Sequence, residues 1–170
     1  KPTLATTCYG MKDHGYRAYA SEIGDNYRRN MEQIVGKLEA ANVRVVVGSP
    51  GIIGKKPTWV KDSASTAEDM NGGLMQLRGI ARELGAQGQR GFADVYGAMA
   101  DLRDKAAKDS PSMEVGGTDG VHPGGAGQAA MAYAFLKALG QDKTDLARFE
   151  IDLKSKKATA AEGHKVLKFD

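Results

Sequence analysis

The sequence predicts a layered α/β domain in which helices pack on a parallel β-sheet. The prediction rests on two observations. Three short runs of strand-like composition, residues 3–9, 43–47 and 91–95, are separated by long segments in which apolar residues recur every three or four positions. Strands that alternate with helices in this way are joined by right-handed crossovers, so neighbouring strands are expected to run parallel.

The first strand and the first long helix follow one another near the start of the chain. Residues 3–9 have the composition of a buried strand, and Cys8 is predicted to pack inside it. Residues 22–42 place apolar side chains such as Tyr27 and Met31 on one face and charged side chains on the other. This pattern predicts an amphipathic crossover helix.

The middle of the domain repeats the strand and helix pattern. Residues 43–47 are β-branched apart from Arg44, as expected of a strand that is covered on both faces. A loop rich in Gly, Pro and Lys follows at residues 48–58. Helical periodicity resumes over residues 70–84, although two adjacent glycines weaken the start of this helix.

The last third of the domain supplies one more strand and two more helices. Residues 91–95 are predicted to be a short strand and residues 98–108 a helix. An alanine-rich run that ends at Leu139 predicts the final helix, with Pro123 at its first helical position.

Beyond residue 140 the composition changes. Residues 149–153 and 158–160 alternate in strand fashion around a polar turn, and residues 166–169 alternate again. The sequence therefore predicts an α/β domain over residues 1–140 and a small β-hairpin appendage over residues 141–170.

Composition excludes several classes of protein. The chain has 170 residues, of which 41% are hydrophobic and 26% charged, and these proportions are typical of a globular domain with its own core. No apolar stretch approaches the ~20 residues of a membrane span. The formal net charge is only +3 and the basic residues are scattered among acids, which argues against nucleic-acid binding. The single cysteine cannot form an internal disulfide.

One short motif carries the chemistry that the sequence predicts. Asp119 and His122 are three residues apart on a turn that leads into the last helix. In Ser-His-Asp catalysis a carboxylate holds one imidazole nitrogen, and the other nitrogen takes the proton of a serine hydroxyl. The spacing allows this contact, so the pair could form half of a hydrolytic triad. The alternative is that Asp119 caps a turn and His122 is an ordinary histidine.

Two motifs of the chain resemble those of the SGNH (GDSL-type) hydrolases. Asp119-x-x-His122-Pro123 is similar to the C-terminal catalytic block of that family, and the segment from Gly10 to Asp13 is similar to its Gly-x-Asn-Asp block. The resemblance implies a three-layer, flavodoxin-like fold in which the predicted strands are the third, fourth and fifth of the sheet. The family's first strand would lie beside residues 3–9, and we expect this front part to be missing from the chain.

The same resemblance implies an activity and the roles of several residues. Esters would be hydrolysed through a serine acyl-enzyme, with His122 as general base and acid and Asp119 orienting it. The Gly10 amide would bind the oxyanion, and Lys12 stands where the family has the second donor, an asparagine. The substrate would be a small ester or an acylated carbohydrate, with no metal and no organic cofactor. Secretion or a periplasmic location would also fit the family.

The walls of the site can be predicted from the fold class. In an open α/β sheet, the loops that follow the carboxyl ends of the strands build the binding site. These loops contain Tyr16, Ile52 and Trp59, which we expect to line a pocket for an acyl group or a sugar; the alternative is that the aromatic residues among them serve packing.

The sequence lacks the family motif that carries the nucleophilic serine. The family's Gly-Asp-Ser block does not occur in this sequence. Ser49 follows a strand directly, but Pro50 blocks the strand-to-helix elbow that a nucleophile requires, so Ser49 is interpreted as a turn residue. We therefore expect an N-terminal segment or a second chain to supply the serine. The alternative is a non-catalytic α/β binding or assembly module that retains the fold.

Two other sites are weaker interpretations. Residues 48–55 follow a strand and resemble a phosphate-binding loop, but the glycine spacing is wrong and Lys56 occupies the magnesium-binding position. Asp13, His14 and His122 lack the ligand spacing of a metal site, so His14 is interpreted as a loop residue near the mouth of the active site.

Overall fold

The structure is a computed structural model that describes residues 1–143, 148–161 and 163–168. Contacts between residues divide the chain into two compact units, Lys1–Gly140 and Gln141–Asp170. In the first unit the elements are, in chain order, β1 (Leu4–Cys8), α1 (Met11–His14), α2 (Ser21–Ala40), β2 (Arg44–Gly48), α3 (Ala67–Gly85), β3 (Gly91–Ala93), α4 (Val95–Asp109) and α5 (Gly125–Ala138). The second unit contains β4 (Phe149–Asp152) and β5 (Lys157–Ala160).

The sheet of the first unit has the order β1-β2-β3, and both pairs of strands are parallel. Val45 and Val47 of β2 pack with α2 and α3 on one face. Gly48 faces the other side, where the Phe135 ring of α5 lies so close that a Cβ on this glycine would be 2.7 Å from it. Helices therefore cover both faces, and the predicted α/β class with a parallel sheet is confirmed.

β1 differs from the predicted buried strand. Only Thr7 is fully buried, while Leu4 is 40% exposed and Cys8 is also exposed. β1 pairs with β2 alone, and α5 packs over β2 and β3. The alternate side chains of β1 on the α5 face of the sheet are therefore left uncovered, and the prediction of a buried Cys8 is wrong.

Side-chain caps explain why two helices begin earlier than the periodicity predicts. The Thr66 hydroxyl accepts from the Asp69 amide at 3.1 Å, and the Asp69 carboxylate accepts from the Thr66 amide at 3.1 Å, so α3 begins at Ala67. Asp94 accepts from the Gly97 amide at 3.0 Å and starts α4 directly after β3.

The core of the first unit has two parts. One lies between the sheet and helices α2 and α3 and contains Tyr27, Met31 and Leu77. The other is built from the loop after β2 and helices α3, α4 and α5. This second part supports the loops at the carboxyl ends of the strands, where an α/β sheet carries its site.

The second unit is the predicted antiparallel hairpin. Phe149 pairs with Ala160 and Asp152 with Lys157. The rings of Phe149 and His164 meet edge to face at 5.6 Å. The alternation noted at residues 166–169 does not form a strand at residues 166–168, and Phe169 lies outside the described residues. In the described part of both units, no helix is long and apolar enough to span a bilayer.

Candidate active site

The Asp119–His122 pair forms in the structure. His122 Nδ1 lies 2.6 Å from Asp119 Oδ2, and Asp119 Oδ1 accepts from the backbone amides of Val121 and His122 at 3.0 and 2.9 Å. The two backbone amides of the turn thus fix the Asp119 carboxylate independently of its contact with the imidazole. This contact selects the tautomer with the proton on Nδ1 and leaves Nε2 free to accept a proton.

The electrostatics of the pair favour an ionised Asp119. Its hydrogen bond with His122, and then the amides of Val121 and His122, hold the pKa of the Asp119 carboxyl well below its ordinary value of 3.8. The side chain of His122 is 76% exposed. A fixed carboxylate beside an accessible imidazole is the arrangement that a general base requires.

Glycines shape the turn that carries the pair. Gly117 has φ +81°, and a Cβ there would lie 1.9 Å from the His122 carbonyl oxygen. Gly120, between Asp119 and His122, has φ +90°. An L side chain would be strained at either position, so the turn depends on both glycines.

Pro123 lies just outside the helix that follows. The N-cap of α5 is Gly124, and the helix begins at Gly125. The predicted placement of Pro123 at the first helical position is therefore wrong by two residues. The ring still restricts φ directly after His122.

Two of the three predicted wall residues approach the pair. The ring of Trp59 is 6.5 Å from the His122 ring, and the Tyr16 ring meets Trp59 edge to face at 6.0 Å. Burial and then the charge of Asp119 raise the pKa of Tyr16 above its ordinary value. Tyr16 has φ 55°, an uncommon backbone conformation for a bulky residue. The loops after β1 and β2 therefore meet at the Asp119–His122 turn.

The third predicted wall residue is part of the core. Ile52 is 1% exposed and packs with Met70, Leu74 and Met99. Its prediction as a substrate contact is wrong because its side chain points away from solvent.

The predicted oxyanion residues lie at the start of α1. Gly10 has φ +127°, and a Cβ there would be 2.8 Å from Pro50, so only glycine fits. Its N–H donates to the Asp13 carboxylate at 3.0 Å. This bond occupies the donor, so the predicted oxyanion role of the Gly10 amide does not agree with the structure. Lys12 is exposed on the same short helix.

Ser49 is a structural residue. It is 0% exposed, its hydroxyl donates to the Pro50 carbonyl at 3.1 Å, and it accepts from the Tyr96 amide at 2.9 Å. These contacts join the end of β2 to the start of α4. Within residues 1–143, 148–161 and 163–168, no serine hydroxyl hydrogen bonds to His122.

His14 is buried rather than placed on a loop at the site mouth. It ends α1 with a 0% exposed side chain, and its ring lies against Gly73 of α3. Neither ring nitrogen has a hydrogen-bond partner. No group of three metal-binding side chains occurs among the residues that the structure describes.

Comparison with known proteins identifies the family. A profile of the GDSL-like lipase/acylhydrolases matches residues 3–135, which include both motifs and most of the first unit. The chain belongs to this family. The resemblance predicted from the residues around Gly10 and His122 is therefore confirmed. No curated protein matches the sequence.

Several solved structures share the fold of this chain. A gut microbial diltiazem-metabolizing enzyme is 26% identical, with a TM-score of 0.62 over 94% of this chain and 38% of its own. A catalytic mutant of the acetylxylan esterase Axe2 from Geobacillus stearothermophilus is 17% identical, with a TM-score of 0.59 over 82% of this chain and 60% of its own. LAE5, an alpha/beta hydrolase from the metagenome of Lake Arreo, is 21% identical with a TM-score of 0.55 over 85% and 62%.

This chain matches only part of each of these solved structures. The chain spans about 40 to 60% of the length of these three proteins. The activity of a whole hydrolase is therefore a proposal for this protein.

Proposed function

We propose that this chain provides the His-Asp half of an ester hydrolase active site that acts through a serine acyl-enzyme. The observation that carries the proposal is the 2.6 Å contact between His122 Nδ1 and Asp119 Oδ2, which leaves Nε2 exposed to a substrate. Two catalytic mutants of the Axe2 esterase replace a serine and an aspartate with alanine, in line with a mechanism that needs both residue types.

In the proposed reaction His122 carries two protons in turn, the serine proton to the departing alcohol and then a water proton to the serine. Its Nε2 takes the proton of the serine hydroxyl as the serine oxygen attacks the ester carbonyl, and Asp119 stabilises the imidazolium. The imidazolium then protonates the alkoxide as the ester C–O bond breaks, which leaves an acyl-enzyme. Water attacks the acyl carbonyl while Nε2 takes its proton. This proton passes to the serine as the acid is released.

The oxyanion of this reaction needs donors. Because the Gly10 amide is bonded to Asp13, we propose the Lys12 ammonium as the donor on this chain. An ammonium is a flexible point charge, so it fixes an oxyanion less well than the planar amide of the family's asparagine. Loss of one donor in an oxyanion hole typically costs about 100- to 1000-fold in rate.

We propose that an N-terminal segment or a second chain supplies the serine. The open edge and uncovered face of β1 support this proposal, since Leu4 is 40% exposed and Thr6 and Cys8 on the same face are exposed too. An unpaired parallel edge next to a covered strand accepts a further strand through its free backbone groups. A strand added at this position would end beside the loop after β1, near Tyr16 and Trp59.

The proposed substrate is a small acyl ester, with an acylated carbohydrate as the specific class. The exposed Trp59 ring, 6.5 Å from the His122 ring and steadied by Tyr16, offers a flat apolar surface beside the reacting atoms. Such a surface suits the apolar face of a sugar ring. The similarity in fold to an acetylxylan esterase agrees with this choice.

The first experiment measures hydrolysis of p-nitrophenyl acetate by the 170-residue chain, alone and mixed with a polypeptide that carries a family Gly-Asp-Ser segment. We expect the mixture to be active and His122→Ala to abolish that activity. The matched control is His164→Ala, which removes an exposed histidine of the hairpin and should leave the rate unchanged.

Two outcomes decide between the functions. If the mixture is active and Asp119→Asn lowers kcat by about 10⁴-fold, the hydrolase proposal stands. If no sample exceeds the His122→Ala background, the lack of a Gly-Asp-Ser block and the lysine at position 12 favour the binding or assembly module.

A further inference from the structure

A buried amide in α3 holds the loop that follows β2. Asn71 is 9% exposed, and its side chain makes two hydrogen bonds to one residue of the loop. Its Oδ1 accepts from the Ile53 amide at 2.8 Å, and its Nδ2 donates to the Ile53 carbonyl at 2.8 Å. Both backbone groups of Ile53 are thereby satisfied, as a neighbouring strand would satisfy them.

The next peptide of the loop is bonded to the turn that carries the site. The Gly54 amide donates to the Gly120 carbonyl at 2.8 Å. Gly120 follows Asp119 directly, and it precedes Val121, whose amide donates to the Asp119 carboxylate. One hydrogen bond therefore connects the residue after Ile53 to the middle of the turn that fixes the carboxylate.

Backbone contact reinforces this connection. A Cβ on Gly116 would lie 2.6 Å from the Gly54 nitrogen and 2.8 Å from the Gly120 oxygen. The two loops therefore touch with no side chain between them. The ion pair between Lys55 and Glu114 also joins these segments, at 2.6 Å, but both side chains are about half exposed and such pairs contribute little.

We propose that Asn71 is a positioning residue for the Asp119–His122 pair and acts through the backbone of Ile53, Gly54 and Gly120. Asn71 fixes the position of the loop relative to α3. The loop in turn fixes Gly120 through the Gly54 amide, and Gly120 sets the orientation of the Asp119 carboxylate. The inference rests on the proposed function only in taking this pair to be catalytic. Its test uses the geometry of the pair and needs no hydrolysis.

The test is NMR on the folded 170-residue chain with Asn71→Leu, which has a side chain of similar size without the amide. Three quantities are measured: hydrogen exchange of the Gly54 amide, the pH titration of the Asp119 carboxyl carbon, and the tautomer of the His122 ring. We expect Gly54 exchange to be at least ~10-fold faster, because its acceptor is no longer held. We expect the pKa of Asp119 to move up towards its ordinary value and the Nδ1-protonated tautomer to lose its dominance.

The matched control is Leu77→Ala in the same helix. Leu77 is 0% exposed and packs towards α2, so this variant destabilises the domain without touching the loop. If Leu77→Ala produces the same three changes as Asn71→Leu, Asn71 contributes only general stability and the proposal is wrong.

A second pair of variants keeps the test decisive if Asn71→Leu does not fold. A Cβ on Gly54 would lie 3.2 Å from the Gly116 Cα, whereas one on Gly116 would lie 2.6 Å from the Gly54 nitrogen. Gly54→Ala should therefore shift the Asp119 titration slightly and Gly116→Ala strongly. An unchanged titration in both variants refutes the link, whether or not the reconstituted enzyme proves active.

Discussion

Substitution of His14 should change how the stability of the first unit depends on pH. Burial of the ring, and then the positive charge of Arg17, lower the pKa of His14 below its ordinary value of 6.5. The unfolded chain therefore binds a proton at this histidine that the folded chain does not bind. Since the unfolded state holds more protons, the free energy of unfolding falls as pH drops below about 6.5 and is unaffected above it.

The magnitude follows from two contributions. Each pH unit between the unfolded and the folded pKa removes about 1.4 kcal/mol from the free energy of unfolding, since one proton is involved. In addition, both ring nitrogens are buried without a partner, and an unsatisfied buried polar group costs about 1–3 kcal/mol. His14→Leu should therefore be the more stable protein at pH 7, and its advantage should grow at pH 5.

The assay is urea unfolding at pH 5, 6, 7 and 8, followed by the fluorescence of the single tryptophan, Trp59. His164→Leu is the matched control, because it removes an exposed histidine of the hairpin. Parallel curves for the wild type and His14→Leu between pH 5 and 7 would refute the reasoning, and so would a lower stability of His14→Leu at pH 7.

Three further substitutions test the framework around the site. Burial raises the pKa of Asp94, but hydrogen bonds from Arg78 at 2.8 and 2.5 Å lower it more. Asp94→Asn should therefore lower the free energy of unfolding by about 1–2 kcal/mol at pH 7. Urea titrations should show this difference shrinking as the pH falls below about 3.8. Thr66→Ala removes the cap of α3 and should cost about 1 kcal/mol, measured as a lower urea midpoint with an unchanged slope. Gly48→Ala places a Cβ 2.4 Å from the Thr7 carbonyl oxygen and 2.7 Å from the Phe135 ring, so it should lower the melting temperature of the first unit by several degrees, at roughly 4 °C per kcal/mol for a unit of this size. An unchanged value would mean that both β1 and α5 move aside at no cost.

Much of the fold could be predicted from sequence because periodicity and composition report which faces are buried. The apolar face of residues 22–42 correctly predicted α2, and the β-branched run beside Arg44 correctly predicted β2. Helix starts were less predictable, since they depend on single side chains such as Thr66 and Asp94 that bond locally to amides. The exposure of β1 could not be predicted, because it depends on which strands lie beside it.

The site was only partly predictable for the same reason. The contact between Asp119 and His122 is local, so their spacing was sufficient. The prediction that Ile52 contacts the substrate was wrong because the sequence does not show which way a loop side chain points. Asn71 was missed altogether, because it lies eighteen residues from its partner Ile53, inside a helix whose pattern predicts only packing.

The contact among Gly54, Gly116 and Gly120 has a consequence for the evolution and engineering of this protein. Where two loops meet through peptide groups alone, few substitutions can adjust their spacing in small steps, because a Cβ on Gly116 or Gly120 would already lie 2.6 Å from the Gly54 nitrogen or 2.2 Å from the Lys55 oxygen. The Asp119–His122 pair is therefore held by a part of the molecule with almost no mutational freedom. Trp59 is under no such constraint, since its exposed side chain can change size without a collision between peptide groups.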